Sequence, residues 1–336
     1  MGAVRKQTSI RHVAARAGVS HQTVSRVLNG HPSIRPATRE RVLAAIAELD
    51  YRPSGAARAL ATRRSRRIGV MVDTAIEFGP TSTLRAVEAA AHHAGYAAAA
   101  IAIDEDRAVS PHDAVEHLLG QGVDALCVIA PRSTSVDVLR ELTTDLPTLV
   151  VKATPDPAFL TVSVDQELGA ALAVRHLIEL GHRRIVHVAG PLDWLDARGR
   201  VHGWQAEMGR HGLELREPDV GDWTSDFGYR LAHQWGPRPD FTAVFAANDQ
   251  LALGIIHGFA ELGVRVPDEV SVVGFDDLPD ARHFLPPLTT VRQDFRTLGE
   301  RAVAELLTVL AGGEAEPHSL IAPELVVRAS TAAPRA

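Results

Sequence analysis

From residue 67 onward, short continuous apolar runs alternate with longer stretches in which apolar residues recur every three or four positions. Ile68–Val72, Ala97–Ile103, Val123–Ala130, Thr148–Val151, Ile185–Ala189, Thr242–Ala246, Val270–Gly274 and Leu325–Arg328 read as strands, because short apolar runs bounded by turn residues suit buried strands. Leu84–His93, Leu168–Leu180, Leu251–Leu262 and Leu298–Leu310 carry helical spacing instead. Alternating strands and helices predict parallel sheets covered on both faces. So many strands between residues 67 and 330 suit two doubly wound lobes better than one. A ligand of such sheets lies beyond the carboxyl ends of the strands, here in the cleft between lobes.

The first fifty residues follow another rhythm. Ile10, Val13, Ala14 and Ala17 recur at helical spacing, with Thr8 or Ser9 available as a cap. Gly18 ends that helix, since glycine turns left-handed at no steric cost. Val19 plugs a tight turn, and Ser20 caps a second helix, His21 to Leu28. A third runs from Pro36 to Leu49 with Val42, Leu43, Ile46 and Leu49 inward. Two helices joined by a short glycine-containing turn form a helix-turn-helix, whose second helix enters the major groove. His21, Gln22 and Arg26 then face base edges; glutamine can bond adenine N6 and N7, and arginine guanine O6 and N7. Thr23, Ser25 and Asn29 suit phosphate positioning, and Ser20, at the helix start, is counted among the DNA-binding residues. Any small three-helix unit with a capped second helix would fit the spacing equally well.

Charge separates the two alternatives. Residues 1–67 carry 14 of the 35 Arg and Lys residues against Glu40, Glu48 and Asp50, a net +11, while the remainder carries −17. A basic head on an acidic body is the footprint of a nucleic-acid-binding module joined to a part that binds something else. Ser54–Thr62 lies between a proline and the basic run Arg63–Arg67. It reads either as a short helix that orders only with support or as a flexible linker.

Other features narrow the class. No apolar run is long enough to span a membrane, and the basic start leads into no apolar signal region, so a cytoplasmic protein is expected. The lone Cys127 sits in an apolar run and reads as core. There is no Gly-rich phosphate loop, no His-Glu-x-x-His and no nucleophile elbow, so no enzyme, cofactor or metal is expected. Among sixteen scattered histidines, His92, His93, His182 and His187 are expected to be solvated.

Polar residues at strand ends are the binding candidates. Asn248 and Asp249 follow one strand, Asp276 and Asp277 another. Arg200 and Trp204 lie on the helix after Ile185–Gly190, and Trp223 follows the strand near Val220. Asn, Asp and Arg for hydroxyls, with aromatic rings for pyranose faces, suit a carbohydrate. Taken singly, such an Asp serves equally well as a helix cap and a Trp as core.

Val19 to Asn29, Thr38 to Val42 and Glu48 to Pro53 resemble the signature of the lactose-repressor (LacI) family, and the resemblance continues over almost the whole chain. It implies a head at 1–53, a hinge helix and linker at 54–66, and a two-lobed periplasmic-binding-protein-like α/β body at 67–330. It implies further that Ala57 and Leu60 reach the minor groove, with Leu60 wedged between bases. Ala189-Gly190-Pro191, Ala197-Arg198-Gly199-Arg200, Gly221-Asp222-Trp223, Ala247-Asn248-Asp249-Gln250, Gly274-Phe275-Asp276-Asp277 and Pro286 to Arg296 match cleft segments of the family. That brings Arg200, Trp223, Asn248, Asp276, Gln293, Phe295 and Leu298 to the pocket. The first-lobe side departs from the family pattern at Asp73, Glu77, Phe78 and Lys152, and so does the loop with Trp194 and Asp196. The implied partners are a pseudo-palindromic operator and a sugar, not necessarily a galactoside. No leucine heptad follows the last strand, so a homodimer is expected. A sugar-responsive repressor is the leading expectation and a purine-dependent co-repressor the alternative. A transport protein of the same two-lobed shape would need a signal peptide and no basic head.

Overall fold

The computed structural model describes residues 8–28, 31–51, 64–73, 77–103, 110–130, 132, 134, 136, 139, 140 and 144–335. The chain divides into two compact units, residues 1–65 and 66–336.

Among the described residues the first unit holds three helices, α1 (Ile10–Ala17), α2 (His21–Leu28) and α3 (Pro36–Glu48). Gly18 takes φ 64° at the end of α1, and the Val19 N–H returns to the Ala14 carbonyl at 3.0 Å. Ser20 Oγ accepts from the Thr23 N–H at 3.1 Å and so caps α2. Val13, Ala17, Val24, Val27, Val42, Ala45 and Tyr51 close the core. Leu43 is not part of it. A step of about 100° per residue carries Leu43 past the seam that Val42 and Ala45 fill, leaving it 50% exposed.

The second unit contains two six-stranded sheets. One is built from β1 (Arg67–Asp73), β2 (Ala97–Ile103), β3 (Ala125–Ile129), β4 (Thr148–Val151), β5 (Leu160–Val164) and β11 (His318–Ile321), in the spatial order β11-β5-β4-β3-β1-β2 and parallel throughout. The other comprises β6 (Ile185–Ala189), β7 (Asp219–Val220), β8 (Ala243–Ala246), β9 (Ser271–Asp276), β10 (Thr289–Arg292) and β12 (Glu324–Val326), in the order β12-β10-β9-β8-β6-β7. Only the β10–β12 pair is antiparallel. The chain passes between these lobes after β5, after β10 and after β11.

Helices cover both faces, as parallel sheets require. On β1, Val70 and Val72 meet α4 (Phe78–His93) and α10 (Phe295–Leu310), whereas Met71 turns to α5 (Pro111–Gly120). In the second lobe, α6 (Gln166–Glu179) and α7 (Leu195–Arg210) cover one face, α8 (Ser225–Trp235) and α9 (Asp249–Glu261) the other. Cys127 is fully buried, and burial pushes its thiol up to about 12. It is core, not a reactive group.

His182 and His187 are not solvated. His187 projects from β6 beneath α7, stacked on Phe245 with centroids 4.6 Å apart and tilted against Trp204 at 5.4 Å. Its Nδ1 faces the Phe245 carbonyl at 2.9 Å, and burial holds the ring down at about 4. His182 is held by Thr242, Ser271 and the Ala332 carbonyl, at 2.9–3.0 Å. Period-two alternation along a strand covered on both faces sends His187 inward whichever face it takes. His92 and His93 are exposed at the end of α4.

Candidate functional site

On α2 the packing sorts the side chains. Val24 and Val27 are buried, Thr23 and Ser25 half-buried, and Ser20, His21, Gln22 and Arg26 exposed. The polar groups able to read bases thus share the outer side of a helix anchored by two valines. Asn29, Ala57 and Leu60 lie outside the described residues.

In the second unit, the ends of the strands converge on a polar network. Arg200, 4% exposed on α7, donates from Nε to Gln166 Oε1 at 2.9 Å and from a terminal nitrogen to the Ala247 carbonyl. Its other terminal nitrogen is 3.6 Å from Asp276 Oδ1. Gln293 Nε2 donates to that same oxygen at 2.7 Å, and Gln166 Nε2 donates to Gln293 Oε1 at 3.0 Å. The guanidinium lies 3.9 Å from the Phe275 ring centroid and 5.5 Å from that of Trp223. Burial pushes the Asp276 carboxyl up to about 6; Arg200 and Gln293 work against that, while Asp196 and Glu77 reinforce it.

Trp223 and Asp276 both hold positive φ, 68° and 105°. Non-glycine residues rarely do so, and such conformations gather at ligand sites. Trp223 meets the edge of Trp194 at 5.3 Å and covers Gly190 so closely that a Cβ there would lie 2.3 Å from its ring. Asn248 Nδ2 donates to the Trp223 carbonyl at 3.0 Å while its Oδ1 caps α9 through the Leu251 N–H at 2.8 Å. Asp249 is buried and accepts from Thr290 Oγ1 and the Leu278 N–H, at 2.6 and 2.7 Å. It orders the loop after β9 and does not line the cleft.

The first lobe supplies the facing wall. Phe78 and Phe295 meet edge to face at 5.8 Å. Lys152 Nζ contacts Asp156 Oδ2 at 2.8 Å, and Arg140 reaches the same oxygen at 2.7 Å. Burial alone would raise the Asp156 carboxyl, but the bonds from Lys152, the Ala158 N–H and Arg140 prevail and hold it at about 2. Asp73, 1% exposed, receives paired hydrogen bonds from Arg132 at 2.7 and 3.0 Å and does not line the cavity.

Between these walls are two adjoining chambers. One, about 400 Å³, is lined by Thr83, Lys152, Ser163, Gln166, Gln293 and Leu298 among others. The second, about 340 Å³, is lined by Glu77, Phe78, Trp194, Arg200, Trp223 and Asp276, with Asn248 and Gln250. Gly79, Pro80 and Asp196 border both. Ser163 Oγ, Trp223 Nε1 and Gln250 Oε1 are buried in this region without a hydrogen-bond partner. Buried polar groups are nearly always satisfied, and His187 Nε2 and Trp204 Nε1 in the core are likewise without a partner.

Eleven of the twelve residues expected in the pocket therefore line one cleft, and Asp73 stands apart with Arg132. Trp204 is core and fully buried. Sequence reading missed Ser163, Gln166 and Gln250. Ser163 is one hydroxyl in a short strand, whereas Gln166 and Gln250, directly after strands, carried a positional signal. Among the described residues no group of His, Cys, Asp and Glu is placed to hold a metal, and no helix is long and apolar enough to cross a membrane.

Comparison with known proteins places this geometry. Residues 9–54 match the model for bacterial regulatory proteins of the lacI family, and residues 174–331 that for a periplasmic binding protein-like domain. The chain is 35% identical to the lactose operon repressor of Escherichia coli (strain K12) over 333 residues, 98% of this chain and 92% of that protein. It is 32% identical to the transcriptional repressor PurR of Photobacterium profundum over 329 residues, 96% of this chain and 98% of that protein. A lac repressor dimer bound to operator and the anti-inducer ONPF superposes with TM-score 0.87 at 34% identity, over 98% of this chain and all of that one. The regulator CelR in complex with cellobiose gives 0.72 at 30% identity, over 96% of this chain and all of that one.

Proposed function

Because this chain belongs to the lacI family of bacterial regulatory proteins, DNA-binding transcriptional repressors and not enzymes, we propose that it represses carbohydrate-use genes and is released by a sugar or glycoside bound in the cleft. In this reading a homodimer presents two heads (residues 1–53) to a pseudo-palindromic operator in the cytoplasm. His21, Gln22 and Arg26 read bases; Ser20, Thr23, Ser25 and Asn29 position phosphates. Ala57 and Leu60, in the segment 54–66, serve the minor groove. The body, 67–330, binds the effector through Arg200, Trp223, Asp276, Gln293 and the first-lobe wall.

One observation carries the choice of a carbohydrate. The second chamber combines aromatic walls, Trp194, Trp223 and Phe78, with a buried donor and a buried acceptor left open at Trp223 Nε1 and Gln250 Oε1. Apolar ring faces and scattered hydroxyls are what such a surface complements. The relative solved in complex with cellobiose supports this reading. Similarity to PurR favours a purine as the second reading, in which ligand strengthens DNA binding.

Ligand and operator affinities must then change by one reciprocal factor. Thermal-shift screening with mono- and disaccharides and with hypoxanthine and guanine separates the readings. A ligand at 100 times its Kd stabilises by about 2.7 kcal/mol. Release of the protein from operator DNA by a stabilising sugar supports the proposal. Tighter operator binding with a purine replaces it, and operator binding indifferent to every stabilising compound defeats both.

A further inference from the structure

The second chamber is unbalanced in charge. Glu77 enters from the first lobe, Asp196 and Asp276 from the second, against one cation, Arg200. Arg200 is committed to Gln166, the Ala247 carbonyl and Asp276, and Asp276 also accepts from Gln293. Glu77 and Asp196 are different: neither side chain has a hydrogen-bond or ion-pair partner among the described residues. Burial raises both carboxyls above the usual range, opposed at Asp196 by Arg200 and reinforced at Glu77 by Asp222.

Two further observations in the same chamber point to an absent molecule. Trp223, 7% exposed, leaves Nε1 unpartnered, and Gln250 leaves Oε1. Trp194, Trp223 and Phe78 also line it, and aromatic rings attract cations. Lys152, the one other Lys or Arg lining either chamber among the described residues, lines the first chamber and not the second, and shares Asp156 with Arg140.

We infer that the cleft takes an amine-bearing sugar or glycoside, its protonated amine lying between Glu77 and Asp196. The inference rests on the carbohydrate reading above and names the class within it. An ammonium brings three donors to carboxylates that only accept. Because Glu77 and Asp196 belong to opposite lobes, the same group draws the lobes together.

Isothermal titration of the full-length protein with matched pairs tests this: glucosamine and glucose, galactosamine and galactose, and the fully deacetylated β-1,4-linked glucosamine disaccharide and cellobiose. The amine-bearing member is expected to bind about tenfold or more tightly in at least one pair, as charge-assisted hydrogen bonding implies. In Glu77→Gln and in Asp196→Asn that ratio falls toward one; a ratio within each variant is insensitive to general loss of affinity. Neutral members binding as tightly or more tightly overturn the inference and leave the carbohydrate reading standing. A preference that survives in both variants also overturns it. Binding of no member of any pair overturns both.

Discussion

Arg132 of the first lobe and Trp194 of the second share an isolated antiparallel bridge, while the Arg132 guanidinium grips Asp73 at 2.7 and 3.0 Å. One residue therefore ties a buried carboxylate at the end of β1 to the backbone of the aromatic that walls the cleft. Arg132→Ala removes the bidentate partner of a carboxylate that is 1% exposed. Breaking a buried pair in this way costs about 3–5 kcal/mol. Urea unfolding at neutral pH should show that loss, accompanied by weaker ligand-induced stabilisation. An unfolding free energy unchanged to within about 0.5 kcal/mol, the range of an ordinary surface substitution, would deny the pair its structural role.

The exposed row on α2 makes a separable prediction for DNA. Arg26→Ala should cost about 1–3 kcal/mol and relax specificity at one position of each half-site, and His21→Ala should alter preference at another. Thr23→Ala, a phosphate group in this assignment, should weaken all sequences alike. Selection from randomised half-sites checks this; a His21→Ala variant that selects the parental sequence removes His21 from the reading face.

Asp276 gives stability a pH dependence of defined sign. Its carboxyl sits at about 6 in the folded protein, against an ordinary 3.8. The folded state thus keeps a proton that the unfolded chain releases. Its contribution is complete below pH 3.8 and is lost as pH rises through 6, a change of about 3 kcal/mol by linkage. Unfolding free energies of the parent minus Asp276→Asn, measured from pH 4 to 7, should decline across that interval and level off above it. A flat difference would mean that Asp276 titrates normally.

Gly190 should be intolerant of even one methyl group. A Cβ there meets the Trp223 ring at 2.3 Å, so Gly190→Ala forces the indole off the wall of the second chamber. Overpacking of this kind costs about 1–3 kcal/mol. Ligand affinity should fall by about two- to tenfold, as loss of a well-placed aromatic contact implies, with little change in operator binding by the unliganded protein. Unaltered ligand affinity would show that Trp223 is not a contact.

Much of this was legible before the coordinates because it rests on local rules. Gly18 and Ser20 announce the turn of the head by conformational freedom and capping, and apolar runs announce most strands of the body. Three strands escaped. Leu160–Val164, Thr289–Arg292 and His318–Ile321 are short and carry Thr, Ser or His, and the last pairs with the first only after an excursion through the other lobe. Leu43 and His187 show the limit of pattern at single residues: one helical step turned Leu43 outward, and a sheet covered on both faces left His187 nowhere polar to point. Arg132 could not have been matched to Asp73, because their meeting depends on the ends of two strands that are distant in sequence. Asn248 was foreseen in the cleft, where it also caps α9, the role that polar residues at strand ends commonly take.

The pairing of β5 with β11 joins Thr161 to His318, 157 residues apart. At about 5–20 residues per second, a ribosome takes roughly 8–30 s to make the intervening chain. Throughout that interval the first lobe lacks β11, and until residue 310 is made it lacks α10 as well, with the edge of β5 open to whatever strand it meets. The head needs nothing downstream and can fold at once, and the second lobe is nearly complete before the first is finished. Newborn molecules therefore pass through a period with a formed head and an unsealed body, whose unpaired edge is exposed to aggregation.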